Sequence, residues 1–162
     1  MSLKAYACAS KFDISANRGS YGGLVRNDQG RWLEGFCGVL GAATPLQAEL
    51  WGLRQALSLV KDNGWSSVII ESDCLEAINL ISGEEDVENH PCRALIRDCR
   101  MMSREVAVKL QHVLREANRC ADKMAKLGSK QNEKLVRILV PPMELVDDLL
   151  ADLEGTAFPR GF

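Results

Sequence analysis

The sequence predicts an α/β fold: a mixed five-stranded sheet, three antiparallel strands followed by parallel ones, with helices on both faces. Three observations carry this. The first forty residues hold three extended stretches separated by turn chemistry. Val68-Ile69-Ile70 is a β-branched run preceded by Gly64 and Ser66-Ser67, which suits a central strand buried on both faces. Between and after these stretches, apolar residues recur at helical spacing. The resulting order, βββ-α-β-α-α-β-α, places strand one beside the central strand.

Leu3 to Ser10 reads as the first strand. Asn17-Arg18-Gly19-Ser20 is turn chemistry, Tyr21 to Arg26 resumes an extended pattern, and Asn27-Asp28-Gln29-Gly30 predicts a hairpin into Arg31 to Leu40. Gly22-Gly23 marks either a bulge or a place where another backbone or a ligand comes close. Thr44, Pro45 and Gln47 form a capping box with a proline start. Leu46, Leu50, Leu53, Leu57 and Val60 then make the core face of the first helix, with Glu49 at its margin.

After the central strand, a short helix spans Cys74 to Ile81 and an acidic loop spans Gly83 to Glu88. Pro91 opens a helix whose core face is Leu95, Ile96, Cys99 and Met102. Glu105 to Leu114 alternates like a strand, and Arg115 to Gly128 reads as a last helix. Residues 1–128 are thus expected to form one domain. Residues 129–162 form a C-terminal extension with a short strand, Pro141-Pro142 and an amphipathic helix over Glu144 to Leu153.

Composition narrows the class. A hydrophobic share of 46% with 26% charged residues is that of an ordinary globular chain. No apolar run approaches a membrane span and no signal-like segment opens the chain, so no membrane partner is expected. Six cysteines stand apart without a C-x-x-C pair, and only two histidines accompany them, which argues against zinc. That usage fits a reducing, intracellular setting, nucleus or cytoplasm, and a monomer is expected. Charge is uneven. Residues 1–92 carry 7 basic against 12 acidic side chains, while residues 93–134 carry 11 against 5. A basic segment beside an acidic half suits a polyanion surface next to a cation site, although a solvated helix face gives the same count.

The central strand ends in Glu71-Ser72-Asp73, and ligands in open α/β sheets sit beyond the carboxyl ends of such strands. Asp73 is therefore a candidate for chemistry, unless Glu71 and Asp73 only cap the next helix. Asn118 and Asp122 share one face of the last helix at i, i+4. The topology brings Glu49, Asp73 and Asp122 towards one edge.

The blocks GGLVRNDQGRWLEGF, AELWGLRQAL, VIIESD and HVLREANRCADKMAKLG, in this order and spacing, resemble the type 1 ribonuclease H domain. The likeness is to its plant branch, associated with non-LTR retroelements and stand-alone ribonuclease H-like proteins, and runs from about Leu3 to Gly128. The resemblance implies a ribonuclease H-like fold and two-metal hydrolysis of the RNA strand of RNA–DNA hybrids. It implies Mg²⁺, or Mn²⁺ in its place, held by Glu49, Asp73 and Asp122. His112, ten residues before Asp122, is similar to the family's mobile histidine, which helps product leave. Asn118, Arg115, Arg119 and Lys123 are the expected substrate-binding residues.

One position departs from the pattern. The family's first strand ends in an Asp that bridges both metals, and here Cys8 stands in the matching Cys8-Ala9-Ser10 stretch. Thiolate is a poor replacement for a carboxylate on Mg²⁺. Asp13 lies nearby in a presumed loop. Three readings stay open: a hybrid-cleaving nuclease, a catalytically inactive retroelement-derived nucleic-acid binder, and a protein-interaction module on the same fold.

Overall fold

In a computed structural model of the chain, residues 3–7, 11–13 and 18–154 are described, with side chains from 18 to 151. The strands are β1 (Leu3–Ala7), β2 (Lys11–Asp13), β3 (Arg18–Asn27), β4 (Trp32–Leu40), β5 (Val68–Ser72), β6 (Lys109–His112) and β7 (Val136–Ile138). The helices are α1 (Pro45–Asn63), α2 (Leu75–Ser82), α3 (Arg93–Val106), α4 (Arg119–Ser129) and α5 (Val146–Glu154).

The sheet runs β6-β5-β1-β3-β4-β7, with β2 paired to β3 outside that path. Its backbone is the predicted one: β1, β3 and β4 are antiparallel, β1 pairs with β5 in parallel, and β5 pairs with β6 in parallel. Among the described residues the sheet holds seven strands rather than five: β7 is the short strand expected in the C-terminal extension, now joined to the sheet, and β2 is a three-residue strand too short to show a period of two.

Two apolar layers flank the sheet. Val25, Val68 and Ile70 pack with Leu50, Leu53 and Leu57 of α1 and Ile96 and Cys99 of α3. On the other face Leu24 packs with Cys120, Ala121 and Met124 of α4. Alternation along β3 sends neighbouring Leu24 and Val25 to opposite layers. At about 2–5 kcal/mol for each deep Leu→Ala change, the α1 stripe is the main anchor of its layer.

Local signals explain several boundaries. Thr44 Oγ1 accepts from Gln47 N at 3.1 Å and Gln47 Oε1 accepts from Thr44 N at 2.8 Å, so the capping box forms as expected. Gly64 closes α1 in a left-handed conformation, φ 63°. The hairpin after β3 closes through Asn27 N to Arg31 O at 3.0 Å, with Gly30 at φ 81°.

Several boundaries differ from expectation: Arg18–Ser20, expected as a turn, already belongs to β3 and pairs with β2. Glu105 and Val106 belong to α3, which stops where Ala107 turns left-handed at φ 52°, so β6 covers only Lys109–His112. Arg115–Asn118 forms a 3₁₀ turn ahead of α4 rather than its first α-turn.

The close approach suggested by Gly22 occurs. A Cβ on Gly22 would lie 2.4 Å from the backbone of Met124 and Ala125, and one on Gly128 would lie 2.7 Å from Gly38 O. Helix α4 therefore rests on the sheet backbone to backbone, and Ser20 Oγ adds a 2.9 Å bond to Ala125 O.

Candidate active site

Strand β5 delivers Asp73 just past its carboxyl end, and the residue beyond it, Cys74, is the N-cap of α2. No side chain caps that helix. The purely structural explanation for Asp73, a helix cap, is thereby removed.

Helix α1 delivers Glu49, 8% exposed, from the turn nearest the end of β5. Strand β6 runs parallel to β5 with His112 opposite Ser72, and Val113 N donates to Ser72 O at 2.9 Å. Glu49, Asp73, Cys74, His112 and Arg115 then line one open cavity of about 370 Å³, with Pro45, Leu46 and Leu114 as its apolar walls.

The charges in this cavity act on one another. Burial pushes the Asp73 carboxyl above its usual range; the nearby Asp122 adds to this, while Arg115 and a hydrogen bond from Asn118 work against it. Arg115 Nε stands 3.6 Å from Asp73 Oδ2 on an otherwise exposed side chain. The Cys74 thiol is likewise pushed up, by burial first and then by the carboxylates of Glu49, Glu76 and Asp73. Burial and these carboxylates thus favour the neutral thiol at Cys74, against a backbone hydrogen bond at Ala77.

The other expected residues fall in different places. Asp122 does not line the cavity; its Oδ2 takes a 3.3 Å ion pair with Lys126 one turn on. Asn118 is 1% exposed and its side chain hydrogen-bonds to Asp73. Arg119 is exposed. Lys123 turns away from the cavity to Asp148 Oδ2, 2.5 Å, and Glu144 O, 3.3 Å. Its charge is thus shared with the C-terminal segment. Cys8 and the side chain of Asp13 lie outside the described residues; the backbone of Asp13 is not in a loop, as expected, but ends β2 opposite Arg18.

Two wall residues went unnoticed in the sequence, Cys74 and Glu76. Their signal was adjacency to Asp73. The burial of Asn118 had none.

The donors at the cavity suit a hard divalent cation, since carboxylate oxygen is its preferred ligand and a crowded, buried carboxylate gains from a positive neighbour. Glu49 and Asp73 fit that role. Among the described residues, no three His, Cys, Asp or Glu side chains stand close enough together to hold one ion.

Comparison with known proteins agrees with this architecture. The Reverse transcriptase-like family matches residues 7–128. An Arabidopsis thaliana protein named "Putative ribonuclease H protein" is 34% identical over 143 residues, 87% of this chain; the chain spans only 23% of that relative's length. RNase H1 from the halophilic archaeon Halobacterium salinarum NRC-1 superposes with a TM-score of 0.71 at 21% identity, covering 80% of this chain and 98% of that one. LC11-RNase H1, in its crystal structure with RNA/DNA hybrid, superposes with a TM-score of 0.68 at 17% identity, covering 77% and 94%. The chain belongs to the Reverse transcriptase-like family and has the ribonuclease H fold.

Proposed function

We propose that this chain is a divalent-metal-dependent nuclease that hydrolyses the RNA strand of RNA–DNA hybrids. The observation that carries this reading is the convergence of Glu49, Asp73 and His112 from three separate elements on one open cavity. The Arabidopsis relative's name and the hybrid bound by LC11-RNase H1 support the substrate class.

Glu49 and Asp73 would hold Mg²⁺ or Mn²⁺, with Asp122 outside the cavity but near enough for its charge to act on Asp73. Bound there, the ion supplies positive charge to the phosphate under attack and to the departing oxygen. The chain's own residues do the rest. Asn118 fixes the Asp73 carboxylate by hydrogen bonding. Arg115, 85% exposed at its side chain, offers its guanidinium to a phosphate of the duplex at the rim of the cavity. Arg119 extends the basic rim. His112, exposed at the end of β6 and lining the cavity, would help the product strand leave.

A second reading rests on Cys8. With a thiol at the first ligand position, the chain binds hybrid and cleaves it slowly or not at all.

A labelled RNA–DNA hybrid incubated with Mg²⁺, Mn²⁺ or EDTA separates the readings. Metal-dependent scission that Asp73→Asn abolishes supports the nuclease. Retention of hybrid without scission supports the binder. No retention even at low salt would reject both, leaving a protein-interaction role for the fold.

A further inference from the structure

We propose that residues 143–149, beyond the family-matched region, are a positioning strut for the candidate active site, setting α4 and with it Asp122. This rests on the nuclease reading for its catalytic consequence, though not for its structural one.

The family match ends at residue 128, yet the chain that follows is built into the molecule. Strand β7 adds to the sheet beside β4, with Phe36 opposite Arg137. Three side chain or backbone bonds seat the connecting residues: Val39 N to Glu133 O at 3.0 Å, Tyr21 Oη to Lys134 O at 2.5 Å, and Trp32 Nε1 to Leu139 O at 2.9 Å. Pro141-Pro142 then turns the chain into a 3₁₀ turn, Met143–Leu145, and α5.

This last segment packs into the same apolar layer that seats α4 on the sheet. Leu145, 0% exposed, and Leu149, 7% exposed, share an apolar cluster with Cys120, Ala121 and Met124. Lys123 is pinned by Asp148 Oδ2 and Glu144 O. Helix α4 thus takes its seat from two sources, the glycine-lined sheet at Gly22 and the strut, which shares its apolar layer and pairs with Lys123. Asp122 stands between residues that touch the strut on either side of it in sequence, Ala121 and Lys123. A helix of eleven residues is too short to keep its place alone, so its position comes from what it packs against.

The test compares Lys123→Met and Asp148→Asn with the unmodified chain, Lys123→Arg serving as the rescue. Amide hydrogen exchange is read across residues 119–129 and across α1. The strut predicts about 5-fold faster exchange in α4 in both variants, the upper end for one part-buried ion pair, with α1 unchanged and Lys123→Arg close to the unmodified chain. Cleavage against Mg²⁺ concentration should show a requirement raised by roughly 10-fold, as for loss of an outer support of a metal site. Unchanged exchange in α4, or equal acceleration in α1 and α4, would overturn the proposal. A chain that shows the exchange pattern but no metal-dependent scission in any form would keep the strut and reject the nuclease reading.

Discussion

Replacing Gly22 by Ala should separate α4 from the sheet by a distance that can be read in advance. The new Cβ would meet Ala125 N and Met124 C at 2.4 Å and Met124 Cβ at 2.7 Å. Two of these are backbone atoms, so no rotamer change relieves them. Ordinary contact begins at 3.4 Å, and the helix must retreat by about 1 Å. Overpacking of this kind costs about 1–3 kcal/mol. With a urea slope of about 2 kcal/mol/M, the unfolding midpoint falls by roughly 0.5–1.5 M. Asp122 lies two residues before Met124 and moves with it. A displacement of about 1 Å at a reacting geometry can lower the rate by roughly 100-fold. Urea unfolding and hybrid cleavage, measured on the same preparation, check both effects. Gly41→Ala is the control, since a Cβ there meets nothing within 4 Å. If Gly22→Ala matched Gly41→Ala in midpoint and in rate, the direct seating of α4 on β3 would be refuted.

Three further outcomes follow from the same geometry. Asp73→Asn should raise Tm at pH 7 while abolishing cleavage: burial lifts the native carboxyl above its ordinary 3.8, so its ionised form is a load on the fold at neutral pH. That gain should shrink as pH falls through the raised native value and vanish below the unfolded one, and thermal melts from pH 3 to 8 would contradict it by showing a loss at pH 7. Arg115→Ala with Arg119→Ala should lower the log–log salt slope of hybrid binding by about 1.8, at about 0.9 per phosphate contact, whereas Lys123→Met should leave the slope unchanged. Thr44→Ala should cost about 1 kcal/mol through loss of the capping box, read as a shift in urea midpoint without a change in slope.

What the sequence reveals is what local chemistry determines. Thr44 and Gln47 announce the start of α1 because both partners of the cap lie within one turn. The run Val68–Ile70 announces a buried strand, and the charge that ends it announces the site. Val106 misleads because a short alternating stretch fits either period, and the left-handed Ala107 that ends α3 carries no residue-type signal such as Gly. The ion pair of Lys123 is illegible for a different reason: its partner is 25 residues away on a helix whose docking depends on Leu145 and Leu149. Asn118 looks surface-exposed by spacing, and only the 3₁₀ turn over Arg115–Asn118 brings it to Asp73. Contacts closed over long loops are legible only once the fold has been formed.

The most direct measurement is the time course of hybrid cleavage by the unmodified chain and by Cys8→Asp, at equal hybrid occupancy, with Mg²⁺ or EDTA. If Glu49, Asp73 and Asp122 form a ribonuclease H site weakened by its first position, Cys8→Asp cleaves faster by several orders of magnitude, on the scale of metal and positioning effects. EDTA or Asp73→Asn then removes the gain. Bound hybrid that Cys8→Asp still leaves intact, or a gain that survives Asp73→Asn, would contradict the account.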